Sequence, residues 1–171
     1  MKSNFSNCMA HILKHEGGFV NHPADPGGMT NLGVTKAAWE EYVGHEVTEA
    51  DMRALTPEAV EPFYKKRYWD VCRCDELQSG LDYIVFDIAV NSGTGRAAKF
   101  LQTELGVTAD GSIGSGTLAA YRLRISDTIQ LINNIADRRQ AFWESLKTFP
   151  VFGKGWTRRG NEVRDAALAM V

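Results

Sequence analysis

The chain has 171 residues, of which 44% are hydrophobic and 23% charged, and its net charge is −2. This length suits one domain with a single substantial core. The slightly acidic balance argues against a protein that coats nucleic acid or an anionic membrane. No apolar stretch of the sequence reaches transmembrane length, so we do not expect stable membrane insertion. The three cysteines cannot all pair and lack the paired spacing of a zinc site, so we predict neither a disulfide framework nor a metal, and no cofactor.

The first predicted helix carries an apolar face that ends in a carboxylate. Apolar residues recur there at helical three- and four-residue steps: Phe5, Cys8, Met9, Ile12 and Leu13. Glu16 continues this face in the last turn, and Gly17-Gly18 ends the helix. The negative end of the helix dipole and partial burial both disfavour an anion, so we expect a raised pKa for Glu16, which suits a general acid.

The rest of the chain is predicted to be helical except near the front. Residues 17–34 are rich in Gly, Pro, Asn and Asp, which predicts a loop or a short β-hairpin. N-cap residues and glycine stops then predict a series of helices. They cover residues 36–43, 49–54, 58–70, 81–91, 117–122 and 127–147. Two more run from a cap at Thr94 to 105 and from 161 to the carboxyl terminus. The caps of the first three are Thr35, Thr48 and Thr56. The 81–91 helix is apolar around most of its circumference, as a central buried helix would be.

Two carboxylates and a hydroxyl follow the first helix closely. Glu16 ends an apolar face, whereas Asp25 lies in a glycine-rich turn and Thr30 follows it. Such different environments push carboxyl pKa values apart, so that one group keeps its proton while the other is ionised. Glycosidic hydrolysis needs that division of labour. The alternative is a glutamate that reaches solvent beside an ordinary Asp-Pro-Gly-Gly turn.

Several blocks of the sequence agree, in order, with one enzyme family. They are Glu16-Gly-Gly-Phe, Asp25-Pro-Gly-Gly, Thr30-Asn-Leu-Gly-Val-Thr, and residues 64–70, 86–93 and 152–159. Together they resemble glycoside hydrolase family 108, the N-acetylmuramidases found among phage endolysins and secretion-associated bacterial lysozymes. Phe19 stands where that family usually has Tyr, which keeps an aromatic ring and loses a hydroxyl.

The resemblance implies a mainly α, lysozyme-like helical domain with a short loop or β-hairpin after the first helix. We expect one domain over 1–171, with a catalytic half at 1–93 and a helical half at 94–171. The latter resembles a peptidoglycan-binding repeat around residues 101–118, although its Asp-Gly and Ile-Gly pairs also suit plain turns between core helices. The implied reaction is cleavage of the β-1,4 bond between N-acetylmuramic acid and N-acetylglucosamine, with Glu16 as the acid and lysis of the bacterial wall as the result.

The remaining site residues are expectations of the same kind. By similarity to phage-type lysozymes, Asp25 and Thr30 hold the attacking water; Thr35 competes for that role but already suits a helix cap. Asn31, Tyr64 and Asn91 are predicted to contact the glycan. Asn91 shares one helix face with Asp87, so the pair could instead tie the helix to neighbouring backbone. The basic clusters 65–67, 138–139 and 158–159 are predicted to be solvated helix faces, and the alternative is that one of them binds an acidic ligand.

Two rival functions fit the same sequence. One is a lytic transglycosylase, which uses a single glutamate and forms anhydro-muramic ends. The other is a non-catalytic protein that binds peptidoglycan. In each case we expect a monomer whose partner is the peptidoglycan glycan strand. No continuous apolar run of signal-peptide type follows the amino terminus, so we expect synthesis in the cytoplasm and action in the periplasm and cell wall after release through a holin-like pore or a dedicated machine.

Overall fold

The structure is a computed structural model that describes residues 4–21 and 28–171. Within those ranges the chain forms nine α-helices and one two-stranded hairpin, so the predicted mainly α, lysozyme-like fold class is confirmed. The helices are α1 Phe5–His15, α2 Lys36–Val43, α3 Glu49–Arg53, α4 Pro57–Tyr64, α5 Leu81–Ser92, α6 Thr94–Leu105, α7 Ser115–Arg122, α8 Thr128–Glu144 and α9 Phe149–Ala169. None of the helices in these ranges combines the length and apolarity that a bilayer-spanning segment needs.

The predicted hairpin is present. Strands β1 (Thr30–Asn31) and β2 (Val34–Thr35) pair antiparallel, and Val20 adds a bridge to the outer side of β1. The two turn residues, Leu32 and Gly33, have φ angles of 49° and 75°. Two central residues at positive φ are the signature of a type I′ turn, which matches the twist of the strands it joins.

The described chain divides into two compact units. The amino-terminal unit, Phe5–Arg67, contains α1, the hairpin and α2 to α4. In this unit α1 packs on α4. Their apolar faces supply most of its core, through Phe5, Cys8, Met9, Ile12, Val60, Phe63 and Tyr64.

The carboxyl-terminal unit runs from Tyr68 to Val171 and includes Asn4. Helix α5 lies at its centre, because every residue from Leu81 to Ala89 is buried and the helix contacts α6, α8 and α9. A helix buried on all sides must be apolar around its circumference. The predicted central helix is therefore confirmed, with Gly93 as its C-cap.

Local capping signals are also confirmed. Thr35, Thr48 and Thr56 each accept a hydrogen bond from the backbone amide three residues ahead, which satisfies a donor that the first helical turn leaves unpaired. Thr94, by contrast, is the first residue of α6 and makes no cap, so that prediction is wrong; Gly93 occupies the cap position. Helix α4 passes through Pro62 and continues into a π-helical turn, Lys65–Trp69.

Several helix boundaries differ from the prediction, and the helices predicted over 58–70 and 127–147 end early, at Tyr64 and Glu144. Helix α1 ends at His15, so Glu16 follows the last turn instead of lying in it, and Leu13 is only partly buried. Helix α9 begins at Phe149, not at 161. Pro150 is tolerated in its first turn, where the missing N–H would have had no partner. Gly160 lies so close to Trp143 that a Cβ would overlap the indole ring, which explains a glycine that local propensity alone treats as a breaker.

Candidate active site

Glu16 lies where the first helix meets the hairpin turn. It directly follows α1 and is partly buried. The backbone amide of Leu32 donates a hydrogen bond to the carbonyl oxygen of Gly17, 3.1 Å away. This bond ties the tip of the hairpin to the backbone one residue beyond Glu16.

Gly33 allows the closest approach in this site. A Cβ built on Gly33 would overlap both Oε2 of Glu16 and the hydroxyl of Tyr64. Gly33 also has φ of 75°, where side chains other than glycine are strained. Both its conformation and its surroundings therefore require glycine, and the carboxyl and the phenol are neighbours over the same turn.

Tyr64, the last residue of α4, links this helix to the hairpin turn by a hydrogen bond. Its side chain is 1% exposed, and its hydroxyl donates a hydrogen bond to the carbonyl oxygen of Leu32 at 2.9 Å. Leu32 has positive φ, an uncommon conformation for a bulky residue that persists only where surrounding contacts hold it. Here the amide and the carbonyl of Leu32 are both hydrogen-bonded, so the turn is fixed from two sides.

The two candidate threonines face each other across the hairpin. Thr30 pairs with Thr35 in the strand register. The hydroxyl of Thr35 accepts a hydrogen bond from the amide of Ala38 at 3.3 Å as the cap of α2. Thr30 exchanges two backbone hydrogen bonds of 2.8 Å with Val20, but its hydroxyl bonds to no residue in the part of the chain that the structure describes.

The other predicted site residues of the amino-terminal unit differ in how far they are buried and in whether the structure describes them. Asp25 lies outside the described residues. Asn31 is 6% exposed, and its side-chain amide donates to the carbonyl oxygen of Met52 at 2.8 Å. The burial of Asn31 and Tyr64 does not support their predicted direct contact with a glycan, because neither side chain has surface to offer. The guanidinium carbon of Arg53 lies over the ring of Phe19, 3.9 Å from the ring centre.

Comparison with known proteins identifies the family. The family model described as Glycosyl hydrolase 108 matches residues 9–93. A solved structure of SagA from Brucella abortus has 42% sequence identity and a TM-score of 0.86, covering 99% of this chain and 97% of that one. The chain belongs to the glycosyl hydrolase 108 family. A comparison with curated proteins gives no match. The matched segment of this glycosyl hydrolase contains Glu16, the hairpin, Tyr64 and Asn91.

Asn91 lies near the end of α5 in the carboxyl-terminal unit. It is exposed, and its amide donates to the carbonyl oxygen of Asp87 at 2.8 Å. It also lines a cavity of about 500 Å³ with Arg96 and Trp156 among its walls. The side chain thus both ties back to its own helix and reaches an open cavity.

Asp87 is a buried carboxylate held by arginines. It is 0% exposed and forms ion pairs with Arg139 at 2.6 Å and with Arg159 at 3.0 Å. Arg139 is itself 2% exposed and stacks on Trp143, with its guanidinium carbon 4.3 Å from the ring centre. The prediction that the basic pairs are solvated faces is therefore wrong for Arg139. A buried acid needs a buried counterion, so one arginine of the pair turns inward.

The histidines beside Glu16 provide no metal site in the described structure. Burial, followed by the charges of Lys14 and His15, lowers the pKa of His11, so this side chain is mainly neutral near pH 7. Across residues 4–21 and 28–171, no group of three or more His, Cys, Asp or Glu side chains is arranged to hold a metal ion.

Sequence reasoning missed the parts of the site that hold Glu16 in place. The sequence marks Leu32 and Gly33 only as part of a motif, and Tyr64 only as a predicted glycan contact. A local signal did exist, since two residues ending in glycine between short strands are a common hairpin pattern. The bond from Tyr64 to Leu32 spans 32 residues and leaves no local signal.

Proposed function

We propose that this glycosyl hydrolase is a muramidase, which cleaves the β-1,4 bond between N-acetylmuramic acid and N-acetylglucosamine in peptidoglycan and so lyses the bacterial wall. Its substrate is the glycan strand in the periplasm. The observation that carries the proposal is the position of Glu16, a partly buried carboxyl at the end of α1, fitted against Gly33 and beside the hydroxyl of a buried tyrosine.

Glu16 is the proposed proton donor. Cleavage of a glycoside requires a carboxylic acid that protonates the leaving oxygen. A carboxyl beyond the last turn of a helix faces the negative end of the helix dipole, which favours the neutral, protonated form. The fixed turn of Leu32 and Gly33 holds this group in one place, and placement to within a fraction of an ångström is what a general acid needs.

Asp25 and Thr30 are the proposed holders of the attacking water. Thr30 is preferred to Thr35 because the Thr35 hydroxyl already caps α2, whereas the Thr30 hydroxyl has no bond to any described residue. We assign Tyr64 as a positioning residue that acts through the turn, and Asn91 as a glycan contact. Asn31 supports the hairpin through Met52.

The threonine assignment is tested by a matched pair of variants. Thr30→Val is expected to lower kcat on purified sacculi about tenfold or more, with little change in Tm, because it removes a group that orients water. Thr35→Val is expected to cost about 1 kcal/mol of stability by removing a cap, with kcat retained. Reversal of the two results would transfer the role to Thr35.

The reaction itself is tested by mass spectrometry of the fragments released from sacculi. A hydrolase adds one water to each cut and leaves reducing N-acetylmuramic ends. Anhydro-muramic ends would instead identify a lytic transglycosylase. Sacculi that bind the protein but yield no fragments would identify a non-catalytic wall-binding protein and overturn the proposal.

A further inference from the structure

The amino end of α9 exposes apolar and cationic side chains together. Val151 is 74% exposed and Phe152 is 53% exposed, although both are apolar. Lys147, just before the helix, and Lys154 and Arg158 within it are exposed as well. We call this surface the α9 patch and define it by Lys147, Val151, Phe152, Lys154 and Arg158.

The α9 patch occupies the outward side of the helix. Residues three, four or seven positions apart share one side of a helix, and Val151, Lys154 and Arg158 follow that spacing. The buried residues of α9 lie on the opposite side and are Gly153, Val163 and Ala167. The exposed apolar and cationic side chains therefore form one continuous surface.

The α9 patch carries positive charge that neighbouring acids do not cancel. The sequence has no Asp or Glu between Glu144 and Glu162. Within the described ranges, none of the three cations of the patch forms an ion pair with a carboxylate. Arg159 lies in the same stretch but pairs with the buried Asp87. The patch is thus a local positive surface on a chain whose net charge is −2.

Aromatic contacts hold the apolar part of the patch in place. Phe152 stacks on Trp156, with 5.8 Å between ring centres and 27° between ring planes, and Phe149 contacts Trp156 at 6.5 Å. Trp156 is itself partly exposed. Aromatic rings favour the headgroup region of a bilayer, and lysine and arginine stems cover apolar surface while their charges stay in water. The patch combines these features.

A second exposed apolar surface of the same unit lacks the charge. Leu123 is 87% exposed and Ile129 is 57% exposed. The arginines on either side of Leu123 are neutralised, because Arg122 pairs with Glu76 and Arg124 pairs with Asp127. The unpaired cations therefore distinguish the α9 patch and indicate an anionic partner.

A second copy of this chain does not suit the α9 patch. A twofold contact would bring the same patch of both copies together. The three cations of one copy would then face those of the other, and like charges repel. A bilayer with anionic headgroups and an apolar interior matches both properties of the patch.

We propose that the α9 patch binds the surface of an anionic phospholipid bilayer. Val151 and Phe152 enter the headgroup region, and the three cations contact lipid phosphates. The contact is peripheral and holds the protein at a membrane face. It does not depend on the proposed muramidase activity, because it involves α9 alone and is measured without glycan.

Co-sedimentation with vesicles tests the charged part of the patch. The full chain is mixed with vesicles that contain phosphatidylglycerol, and we expect weaker binding to vesicles of phosphatidylcholine alone. Lys154→Gln/Arg158→Gln is expected to weaken binding to the anionic vesicles about twentyfold, since each cation near such a surface contributes about fivefold. The matched control, Lys14→Gln/Lys66→Gln, removes two exposed cations of the amino-terminal unit and should bind as the parent does.

A second matched pair tests the apolar part of the patch. Val151→Ser/Phe152→Ser leaves the charge unchanged and is expected to weaken vesicle binding about tenfold or more. Its control, Leu123→Ser/Ile129→Ser, removes exposed apolar side chains from the other surface and should bind as the parent does. Because Phe152 also stacks on Trp156, Val151→Ser alone is a further variant, expected to weaken binding several-fold at the Tm of the parent.

Three results would overturn the proposal. The first is a parent protein that does not bind the anionic vesicles, and the second is binding that neither patch variant weakens. The third is binding that falls with the cations but not with Val151 and Phe152, which would assign the patch to soluble polyanions. Vesicle binding without cleavage of glycan would contradict only the muramidase proposal, and cleavage without vesicle binding would contradict only the membrane contact.

Discussion

Glu16 in the amino-terminal unit and Asp87 in the carboxyl-terminal unit are both acids that belong to an apolar stretch of sequence, yet their surroundings are opposite. Asp87 lies in the middle of α5, is fully buried and is neutralised by Arg139 and Arg159. Glu16 comes just after the end of α1, is only partly buried and fits against the backbone of a glycine turn. The first environment surrounds a carboxylate with buried arginines, whereas the second leaves a carboxyl close to solvent.

The difference shows how position along a helix separates structural acids from candidate catalytic ones. A carboxylate in mid-helix is surrounded by other helices and is stable there only with buried cations. A carboxyl beyond the last turn can meet a loop, and a loop with glycine lets another group approach within contact distance. One arginine of each basic pair, Arg139 in α8 and Arg159 in α9, therefore belongs to the structural acid.

The largest effect is expected from a variant that removes the charge of the structural acid, Asp87. Asp87→Asn nearly preserves side-chain shape but leaves the buried guanidinium of Arg139 without its counterion, so we expect a loss of about 3–5 kcal/mol in the free energy of unfolding. Arg138→Ala removes the neighbouring, 40% exposed arginine of a surface pair and should cost about 0–1 kcal/mol. Urea denaturation measures both. Equal losses in the two variants would show that the burial of Arg139 does not determine how much its ion pair contributes to the free energy of unfolding.

The next largest effect is expected on kcat, from a variant that displaces the Glu16 carboxyl. Gly33→Ala puts a methyl group where the Glu16 carboxyl and the Tyr64 hydroxyl lie, so we expect kcat on sacculi to fall about a hundredfold, the cost of displacing a catalytic group by about 1 Å. Gly44→Ala is the matched control, because Gly44 has φ of 80° but open space around it. Both variants should lose about 1 kcal/mol of stability from backbone strain, and Gly33→Ala should lose about 1–3 kcal/mol more from the overlap. A similar loss of kcat in Gly44→Ala would contradict the role given to the Gly33 contact.

The smallest effect is expected on thermal stability, from a variant of a third acid, Asp82. Asp82, at the start of α5, is buried and bonded by neutral donors: the amides of Gly80 and Tyr83, and the side chain of Asn4. Burial raises the pKa of Asp82 from 3.8 to about 6. Because the folded state holds this proton more tightly than the unfolded state, its contribution to stability is full below pH 4 and is lost as the pH rises through about 6.

Asp82→Asn can keep all three hydrogen bonds, since each reaches the same side-chain oxygen, Oδ1. We expect the variant to melt about 2–4 °C above the parent at pH 7–8, which corresponds to about 1 kcal/mol in a chain of this size. The difference should vanish near pH 4. Thermal unfolding across this pH range measures it, and a difference that does not change with pH would refute the assigned cause.

How much the sequence predicts depends on the distance over which a signal acts. The caps at Thr35, Thr48 and Thr56 were predictable because a cap bond reaches only three residues. The central helix α5 was predictable because burial on all sides dictates its composition. The start of α9 was not, since Gly160 is decided by contact with Trp143, which lies in another helix.

The same limit applies to the candidate site. Glu16 could be singled out from a local pattern, an apolar face that ends at a double glycine. The contacts that hold its surroundings join Tyr64 to Leu32 and Glu16 to Gly33, and neither pair has a local signature. Asp87 and Arg159 are 72 residues apart, so nothing near either residue shows that the arginine is a counterion.

The most direct test of the account is the activity of Glu16→Gln on purified sacculi, measured by mass spectrometry of released fragments. The variant keeps the size of the side chain and loses the proton that the mechanism transfers. We expect fragment release to fall about 10²–10⁴-fold, the usual contribution of a general acid, at unchanged Tm. A folded Glu16→Gln protein that releases the same fragments at the parent rate would contradict the role of Glu16.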